Sequence, residues 1–567
     1  MKTSKILLLA FIVPLLATSA LAKSKQQTQP ARTAAPANTG DKEKTSGTTE
    51  FDKVVDKIIK REQDEMTAFA LYKPIIETYI QVLKTDKEMG YSPDHDEYFI
   101  GQADLARGVA VRSMLPKGVL QDMFSSWAEP WNPNGFLEMI YVDRNEFDKN
   151  HYDFHYAGRD FLGEVRCIMI DVTPVHKSGR GRFEGRIWVE DHDFTIVRFN
   201  GIHTQQQNMA HFDSWRMNVQ PDMWLPAYVY VEELNHKTGA MPRFKAQTHF
   251  WAFSPTAASH EDEFSDLVVE GDASQVQDDS LNQHDRSPLE EERDFEREAE
   301  DNVIDTLVRA GLLAPEGDVD KVLDTVLNNL EVTNHLEIDP EPRCRVMVTS
   351  NIELFSVGHT IVISRGLLDV LPDEPTLAVM LAQALADAMA SKGTVNAYGF
   401  SDILQTPADK ALKNFSFKEN QQDWLATGSK ALELLGNSPY RTKLGSAALF
   451  LKQLNQESKI LPHLIGPHLG NQIYPIASLM NSGPDLEASD KNQIAALPMG
   501  SRIKLDPWDD TIKMTKATPL TLLSAREKMP FEVTAFMPYL TRYRDAEAAS
   551  TDRGAVSQEQ SRVETKN

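Results

Sequence analysis

The arrangement of apolar and polar residues changes along the chain, from helical spacing to short alternating segments and back to helical spacing. After Phe51, apolar residues recur at the spacing of one helix face, which predicts a helix; they are Val54, Val55, Ile58 and Ile59. A second set after Pro74 has similar spacing and predicts another helix; its members are Ile75, Ile76, Tyr79, Ile80 and Leu83.

Residues 95–255 have the pattern of short strands separated by turns. The best example is a hairpin that joins residues 183–190 to residues 194–199 through the turn Asp191–Asp193. Further strands are predicted at Glu164–Val172, Ala210–Val219, Ala227–Glu233 and Phe244–Phe253. Six of the eight tryptophans lie in this half of the chain, enough for a core of its own; they are Trp127, Trp131, Trp188, Trp215, Trp224 and Trp251.

The second half of the chain is mainly helical around two short strands. One helix is predicted where Val319, Val322, Leu323, Val326, Leu327 and Leu330 recur at helical spacing. Strands are predicted at Arg345–Thr349 and Thr360–Ser364, followed by a helix over Thr376–Ser391. Short apolar runs after residue 471, such as Ile503–Leu505, predict a small β-rich or irregular extension.

The first 22 residues resemble an export signal, because lysines precede an apolar run that ends in Ala20-Leu21-Ala22. The run is too short for a comfortable membrane span, and no other stretch is long and apolar enough. The formal net charge of −24 argues against nucleic acid as a partner. We therefore expect an exported protein, periplasmic or secreted. Its two cysteines, Cys167 and Cys344, fit two separate buried thiols or one disulfide.

The segment Glu184-Gly-Arg-Ile-Trp-Val, followed by Ile196-Val-Arg198, resembles the LolA/LolB lipoprotein carriers. That resemblance implies an open antiparallel half-barrel that wraps a helix and can shelter acyl chains. A sheet filled by its own side chains, with no ligand, is the alternative.

Residues 300–470 resemble the gluzincin metallopeptidases related to HtpX, BepA and the CAAX prenyl protease. The likeness rests on Gly358-His-Thr-Ile-Val-Ile-Ser-Arg-Gly-Leu-Leu368 and on Leu377-Ala-Val-Met-Leu-Ala-Gln-Ala-Leu-Ala-Asp387. In that family the second segment carries His-Glu-x-x-His, in which two imidazoles one helical turn apart bind zinc and the glutamate is the general base.

Those positions read Gln383, Ala384 and Asp387 here. The family's third zinc ligand, a glutamate, aligns with Gln422 in Phe415-Ser-Phe-Lys-Glu-Asn-Gln-Gln-Asp-Trp424. A neutral amide is a poor zinc ligand and a methyl group cannot accept a proton. We therefore expect no catalytic residue, no bound metal and no cofactor; zinc is expected only if these ligands are misaligned.

Three residues are candidates for lining the remaining cleft: His359 before the second strand, Asp387, and His468 in a segment that also contains His463. A lone loop histidine is more often a surface or capping residue. Asp387 with two glutamines would suit magnesium or calcium better than zinc, but such a site normally has more carboxylates.

The predicted fold class is α+β, with an N-terminal antiparallel curved sheet (a half-barrel) with helices and a mainly helical peptidase-like domain with a small sheet. The predicted regions are a signal peptide (1–22), a disordered tether (23–50), a helix plus LolA-like β domain (51–258), an acidic linker (259–300), a degenerate metallopeptidase-like domain (301–470), an extension (471–544) and a disordered tail (545–567).

The leading hypothesis is a catalytically inactive peptidase homologue that binds a polypeptide, a lipoprotein or another envelope component as an adaptor. One alternative is an active zinc endopeptidase of the same family. The other is a lipid or lipoprotein carrier that acts through the β domain. These hypotheses leave enzymatic activity open but favour its absence.

Overall fold

The computed structural model describes most of the chain from residue 50 to residue 543. The described residues are 50–86, 90–106, 110–114, 136–176, 179–204, 210–233, 244–253, 288–390, 423–466, 477–485, 487, 490, 493–500, 502–515, 531–535 and 537–543. The predicted signal peptide, the tether up to residue 49 and the C-terminal tail lie outside them. Residues 50–567 group as one compact unit.

A ten-stranded antiparallel sheet forms the first half of the fold. Its strands are β1 (Ile75–Asp86), β2 (Gly90–Asp104), β3 (Ala110–Ser113), β4 (Tyr152–Leu162), β5 (Val165–Pro174), β6 (Phe183–Glu190), β7 (Ile196–His203), β8 (Ala210–Gln220), β9 (Met223–Glu233) and β10 (Phe244–Trp251). The order across the sheet is β3-β2-β1-β10-β9-β8-β7-β6-β5-β4, so the sheet is open, with β3 and β4 at its edges.

Eight helices and two small sheets complete the described structure. The helices are α1 (Glu50–Phe69), α2 (Pro288–Arg309), α3 (Asp318–Asn334), α4 (Arg365–Val370), α5 (Glu374–Ala390), α6 (Asp423–Asn437), α7 (Gly445–Glu457) and α8 (Ala477–Ser482). One small sheet has the order β11-β13-β12, from Arg343–Met347, Thr360–Ser364 and Leu354–Val357. The other is the hairpin of β14 (Ile503–Leu505) and β15 (Ile512–Met514).

The helix predicted after Pro74 is wrong, because residues 75–86 form strand β1. Apolar residues at i, i+1, i+4 and i+5 fit a helix face, but they also fit a strand that is buried on both sides. Strand β1 has this second arrangement, since every residue from Ile75 to Gln81 is buried between the two layers.

The acidic linker also ends earlier than predicted. Helix α2 begins at Pro288, so residues 288–300 of the predicted linker are helical. Glutamate and arginine are good helix formers, and Ala299 and Glu300 at the end of this stretch are buried. The rest of the predicted linker, up to residue 287, lies outside the described residues.

Each face of the large sheet packs against a different layer. Helix α1 covers one face, called here the α1 face, where Ile58 and Phe69 meet sheet residues such as Ile80, Val229 and Phe250. The opposite face, called the helical-layer face, shares one hydrophobic cluster with the second half of the chain. That cluster contains Ile75, Tyr79, Trp188, Trp215 and Trp251 from the sheet, and Leu323, Leu327, Leu381 and Leu385 from the helices.

A buried ion pair joins the helical-layer face to helix α4. The guanidinium of Arg365 donates to Glu77 Oε2 at 3.2 Å and to the carbonyl of Val348 at 2.7 Å. Glu77 Oε1 accepts hydrogen bonds from the Tyr98 hydroxyl and the Ser350 backbone N–H, both at 2.7 Å. Burial raises the pKa of Glu77, while Arg365 acts in the opposite direction. Five polar groups, three from side chains and two from the backbone, therefore form one hydrogen-bonded network inside the interface.

The C-terminal segment also reaches the helical-layer face. The side chain of Gln81 donates to the carbonyl of Phe531 and accepts the N–H of Val533 at 2.7 Å. Lys245 forms a buried ion pair with Glu532 at 2.7 Å. These contacts connect the first strand to residues about 450 positions later in the sequence.

The α+β fold class with a large open antiparallel sheet is confirmed. The division into separate domains stays a prediction, since the sheet and the helices share one hydrophobic cluster. Cys167 and Cys344 are both buried free thiols, not a disulfide. Among the described residues, no helix has the length and apolar character that a bilayer span requires.

We expect the substitution Arg365→Met to destabilise the folded protein by about 3–5 kcal/mol, because Glu77 would stay buried without its cation. The measurement is the free energy of unfolding in urea. Lys321→Ala, which removes an exposed ion pair with Asp318 on α3, is the control and should leave stability unchanged. A loss below about 1 kcal/mol for Arg365→Met would show that the pair does not stabilise this interface.

Candidate functional site

Helix α5 contains the segment that the sequence analysis compares with a peptidase motif, and it is buried on almost every side. Its sequence is rich in alanine, leucine and methionine, which favour helix formation. Asp373 caps its beginning by accepting the backbone N–H of Thr376 at 3.0 Å and the Thr376 hydroxyl at 2.6 Å. The helix packs against α6, α3 and α7 and against the small sheet.

Gln383 and Asp387 lie one turn apart on α5 and contact each other. The amide nitrogen of Gln383 donates to Asp387 Oδ1 and to the Thr427 hydroxyl on α6, both at 3.1 Å. Burial raises the pKa of Asp387 to about 6, although hydrogen bonds from Thr427 and Gln383 lower it. These three side chains are called here the Gln383–Asp387–Thr427 cluster, and two of them, Gln383 and Asp387, are the positions that the predicted peptidase resemblance aligns with zinc ligands.

Ala384 is the residue that the predicted peptidase resemblance aligns with a catalytic base. Its side chain is 2% exposed, and its carbonyl accepts a hydrogen bond from Ser356 of β12 at 3.4 Å. A general base must reach a water molecule within hydrogen-bond distance. A buried methyl group offers neither a basic atom nor an approach for water.

The structure places His359 in the turn between β12 and β13, against α2. Its backbone N–H donates to Glu300 Oε1 at 2.8 Å, and its ring Nδ1 lies 3.1 Å from the same oxygen. Glu300 is fully buried. The preceding Gly358 has φ +57°, and a Cβ there would lie 1.9 Å from Glu300 Oε1. Gly358 and His359 therefore pack closely against Glu300, and His359 has a capping role.

Gln422 and His468, the other two predicted site residues, lie outside the described residues. His463, in the same segment as His468, contacts the large sheet. Its ring Nδ1 lies 3.0 Å from Asp96 Oδ1, and the backbone N–H of Leu464 donates to Asp96 Oδ2 at 2.8 Å. Burial lowers the pKa of His463, but the neighbouring Asp96 and Glu97 raise it by more than burial lowers it. The pKa of His463 is therefore above its ordinary value.

One group of potential metal ligands is present among the described residues, and it is not on α5. Glu190, His192 and Asp193 come together at the turn between β6 and β7. The oxygens of Glu190 already accept the backbone N–H groups of His192 at 2.9 Å and Asp193 at 2.6 Å, and Arg542 also contacts Glu190. These contacts make Glu190 the cap of a turn.

Three of the solved structures similar to this chain have the following relations to it. A DUF1329 family protein from Desulfovibrio piger is 12% identical, with a TM-score of 0.19; the match covers 35% of this chain and 90% of that one. A LolA superfamily protein from Nitrosomonas europaea is 10% identical, with a TM-score of 0.21, over 35% and 90% of the two chains. A domain named for outer membrane lipoprotein sorting, from Vibrio parahaemolyticus, is 9% identical, with a TM-score of 0.19, over 35% and 91%.

These TM-scores are too low to support an argument about function. None of the three names refers to a peptidase, so the gluzincin resemblance stays a prediction. No protein-family model matches the chain, and no curated protein sequence matches it.

We expect the free energy of unfolding of Asp387→Asn, relative to that of the original protein, to increase as the pH rises. The pKa of Asp387 in the folded protein, about 6, is above its ordinary value of 3.8. Its contribution to stability is therefore complete below pH 3.8 and is lost as the pH rises through 6. Asparagine keeps the hydrogen-bonding shape but does not titrate.

The measurement is the free energy of unfolding of both proteins at pH 4.5 and pH 8. The difference in favour of Asp387→Asn should be larger at pH 8. Asp318→Asn, an exposed change on α3, is the control and should show no such pH trend. Equal differences at both pH values would mean that Asp387 titrates normally.

Proposed function

We propose that this protein is a non-catalytic binding protein of the cell envelope, in which the peptidase-like half is a scaffold. The observation that supports this most directly is the Gln383–Asp387–Thr427 cluster. Its polar atoms bond to one another across α5 and α6, and they include neither an imidazole nor a second carboxylate. A catalytic zinc site needs three such ligands and an open position for water.

The scaffold role is supported by how helix α4 is held. Arg365 at its beginning is paired with Glu77 of the large sheet. Asp369 near its end accepts the backbone N–H groups of Arg502 at 3.0 Å and Ile503 at 2.8 Å, where β14 begins. The segment between the small sheet and α5 is thereby fixed to two other parts of the fold. A helix that is fixed at both ends keeps the neighbouring surface in one position. Such a surface is suited to binding a partner such as a polypeptide, a lipoprotein or another envelope component.

The test is metal content together with proteolytic activity. The purified protein, dialysed against zinc, should retain far less than one zinc per chain and should not cleave an unfolded protein substrate. The double variant Gln383→His/Asp387→His restores two imidazoles at i and i+4, and it should bind zinc more tightly than the original protein.

Gln453→His/Glu457→His provides the matched control, since it places two imidazoles at the same spacing on α7. Stoichiometric zinc with substrate turnover in the unmodified protein would overturn the proposal and support an active peptidase.

A second candidate function, a lipid or lipoprotein carrier, is favoured by the composition of the α1 face. The sheet residues on this face are almost all apolar, among them Ile187, Val189, Phe199, Phe212 and Leu225. Helix α1 and residues 136–142 cover them. An acyl chain would find a suitable surface here if α1 moved away from the sheet.

A buried charge cluster attaches α1 to the large sheet. Arg216, fully buried on β8, donates to Glu62 and to Glu65 of α1, with N–O distances of 2.7 Å. Arg216 thus bridges two buried carboxylates, and Arg61 of α1 lies 3.3 Å from Glu65 Oε1 at the edge of the cluster. Burial raises the pKa of Glu65 to about 7, while Arg216 lowers it.

If the carrier function is correct, uptake of a fluorescent fatty acid should increase from pH 5 to pH 8. The pKa of Glu65 in the folded protein exceeds its ordinary value of 4.5. Its contribution to holding α1 is therefore complete below pH 4.5 and is lost as the pH rises through 7. Glu65→Gln should abolish the increase, whereas Glu50→Gln, an exposed change at the start of α1, should preserve it. Absence of saturable uptake at every pH would exclude the carrier function.

A further inference from the structure

A pocket of about 320 Å³ lies beside the α1 face, away from the peptidase-like half. It is formed by residues 138–146, the start of β6 and the end of β7. Its volume is at the lower end of the range of small-molecule sites, roughly 300–1,000 Å³. Polar and charged side chains make up most of its wall, in contrast to the apolar core next to it.

Part of this wall is a saturated charge network. Asp143 accepts the Tyr152 hydroxyl at 2.5 Å, Arg182 Nη1 at 2.6 Å, and the backbone N–H groups of Asn145 at 3.0 Å and Glu146 at 3.1 Å. Arg182 also contacts the carboxylate of Glu146. Because these groups satisfy one another, they give the pocket a fixed shape.

Other charged groups of the pocket have bonding capacity left. Arg180 is exposed, and none of the described residues forms an ion pair with it. Arg144 donates to the carbonyl of Leu105 at 3.3 Å and lies 3.8 Å from Glu138, too far for a hydrogen bond. Glu138 is about half exposed. A positive group and a negative group are therefore both open to a ligand.

The charges of the lining balance. Its cations are Arg144, Arg180 and Arg182, and its anions are Glu138, Asp143 and Glu146. His203 also lines the pocket. Burial lowers the pKa of His203, and the centroid of its ring lies 4.8 Å from that of Phe212. A purely anionic ligand would also face the chain's net charge of −24. A ligand that carries both signs and no net charge fits these conditions better.

We propose that this pocket binds a zwitterionic group, with its phosphate at Arg180 and its ammonium at Glu138. This proposal does not depend on whether the peptidase-like half is catalytic. The chemistry is that of phosphoethanolamine, either as the headgroup of a phospholipid or as a free small molecule.

The test uses the full chain and sn-glycero-3-phosphoethanolamine as the probe, with binding measured by calorimetry. Glycerol 3-phosphate, ethanolamine and trehalose are the comparison ligands, each carrying an anion only, a cation only, or no charge. The zwitterion should bind at least about tenfold more tightly than any of the three, the effect of one charge-assisted hydrogen bond.

Two substitutions locate the contacts. Arg180→Ala should weaken binding of the zwitterion about tenfold or more, and Glu138→Gln should weaken the zwitterion while leaving glycerol 3-phosphate unchanged. Arg159→Ala on β4 and Glu298→Gln on α2 remove exposed charges that do not line the pocket and should change nothing. Both pocket side chains are partly exposed, so the variants should fold, which the thermal unfolding midpoint would verify.

The two sources of the group are separated by flotation with vesicles of phosphatidylethanolamine and phosphatidylcholine. Flotation that Arg180→Ala abolishes supports a lipid headgroup, whereas probe binding without flotation supports a free molecule. The proposal is overturned if glycerol 3-phosphate, ethanolamine or trehalose binds as tightly as the zwitterion. It is equally overturned if no probe binds at millimolar concentration, or if neither pocket variant alters binding.

Discussion

The ion pair between Glu77 and Arg365 holds together the two halves of the fold. Neither charge is accessible to water, so each depends on the other and on neighbouring hydrogen bonds from Tyr98 and Ser350. Around this pair, the aromatic residues of the sheet and the leucines of the helices form one hydrophobic cluster. The helical-layer face is consequently occupied, and binding surfaces have to be sought on the α1 face, at its rim, or on the outside of the helices.

Much of the fold could be predicted from the sequence, and the main failure has a clear cause. The hairpin of β6 and β7, the helix α3 and the strand Thr360–Ser364 have patterns in which one periodicity dominates. Strand β1 has no dominant periodicity, because both of its faces are buried and each face carries apolar or paired polar side chains. The apolar spacing alone could not reveal that Glu77 and Gln81 face a second layer, since their partners are hundreds of residues away.

At the degenerate motif, the sequence predicted which residues share a helix face but not what they contact. The i and i+4 spacing of Gln383 and Asp387 was sufficient to place them together. Thr427 was missed because it belongs to another helix and has no motif of its own. His359 was predicted to line a cleft, but its contact is Glu300, a residue that appears in the sequence as part of a charged run. Buried partners of this kind depend on tertiary packing, which spacing does not encode.

The contact of Gln81 with Val533 has a consequence for how the native state is reached. Strand β1 pairs with β10 about 170 residues later, and the amide oxygen of Gln81 accepts its hydrogen bond from Val533, in a segment close to the C-terminus. Contacts between such distant parts of a chain form slowly, because long loops must close first. The polar bonding of Gln81 therefore cannot be complete until residues 531–533 have been made and have reached the sheet.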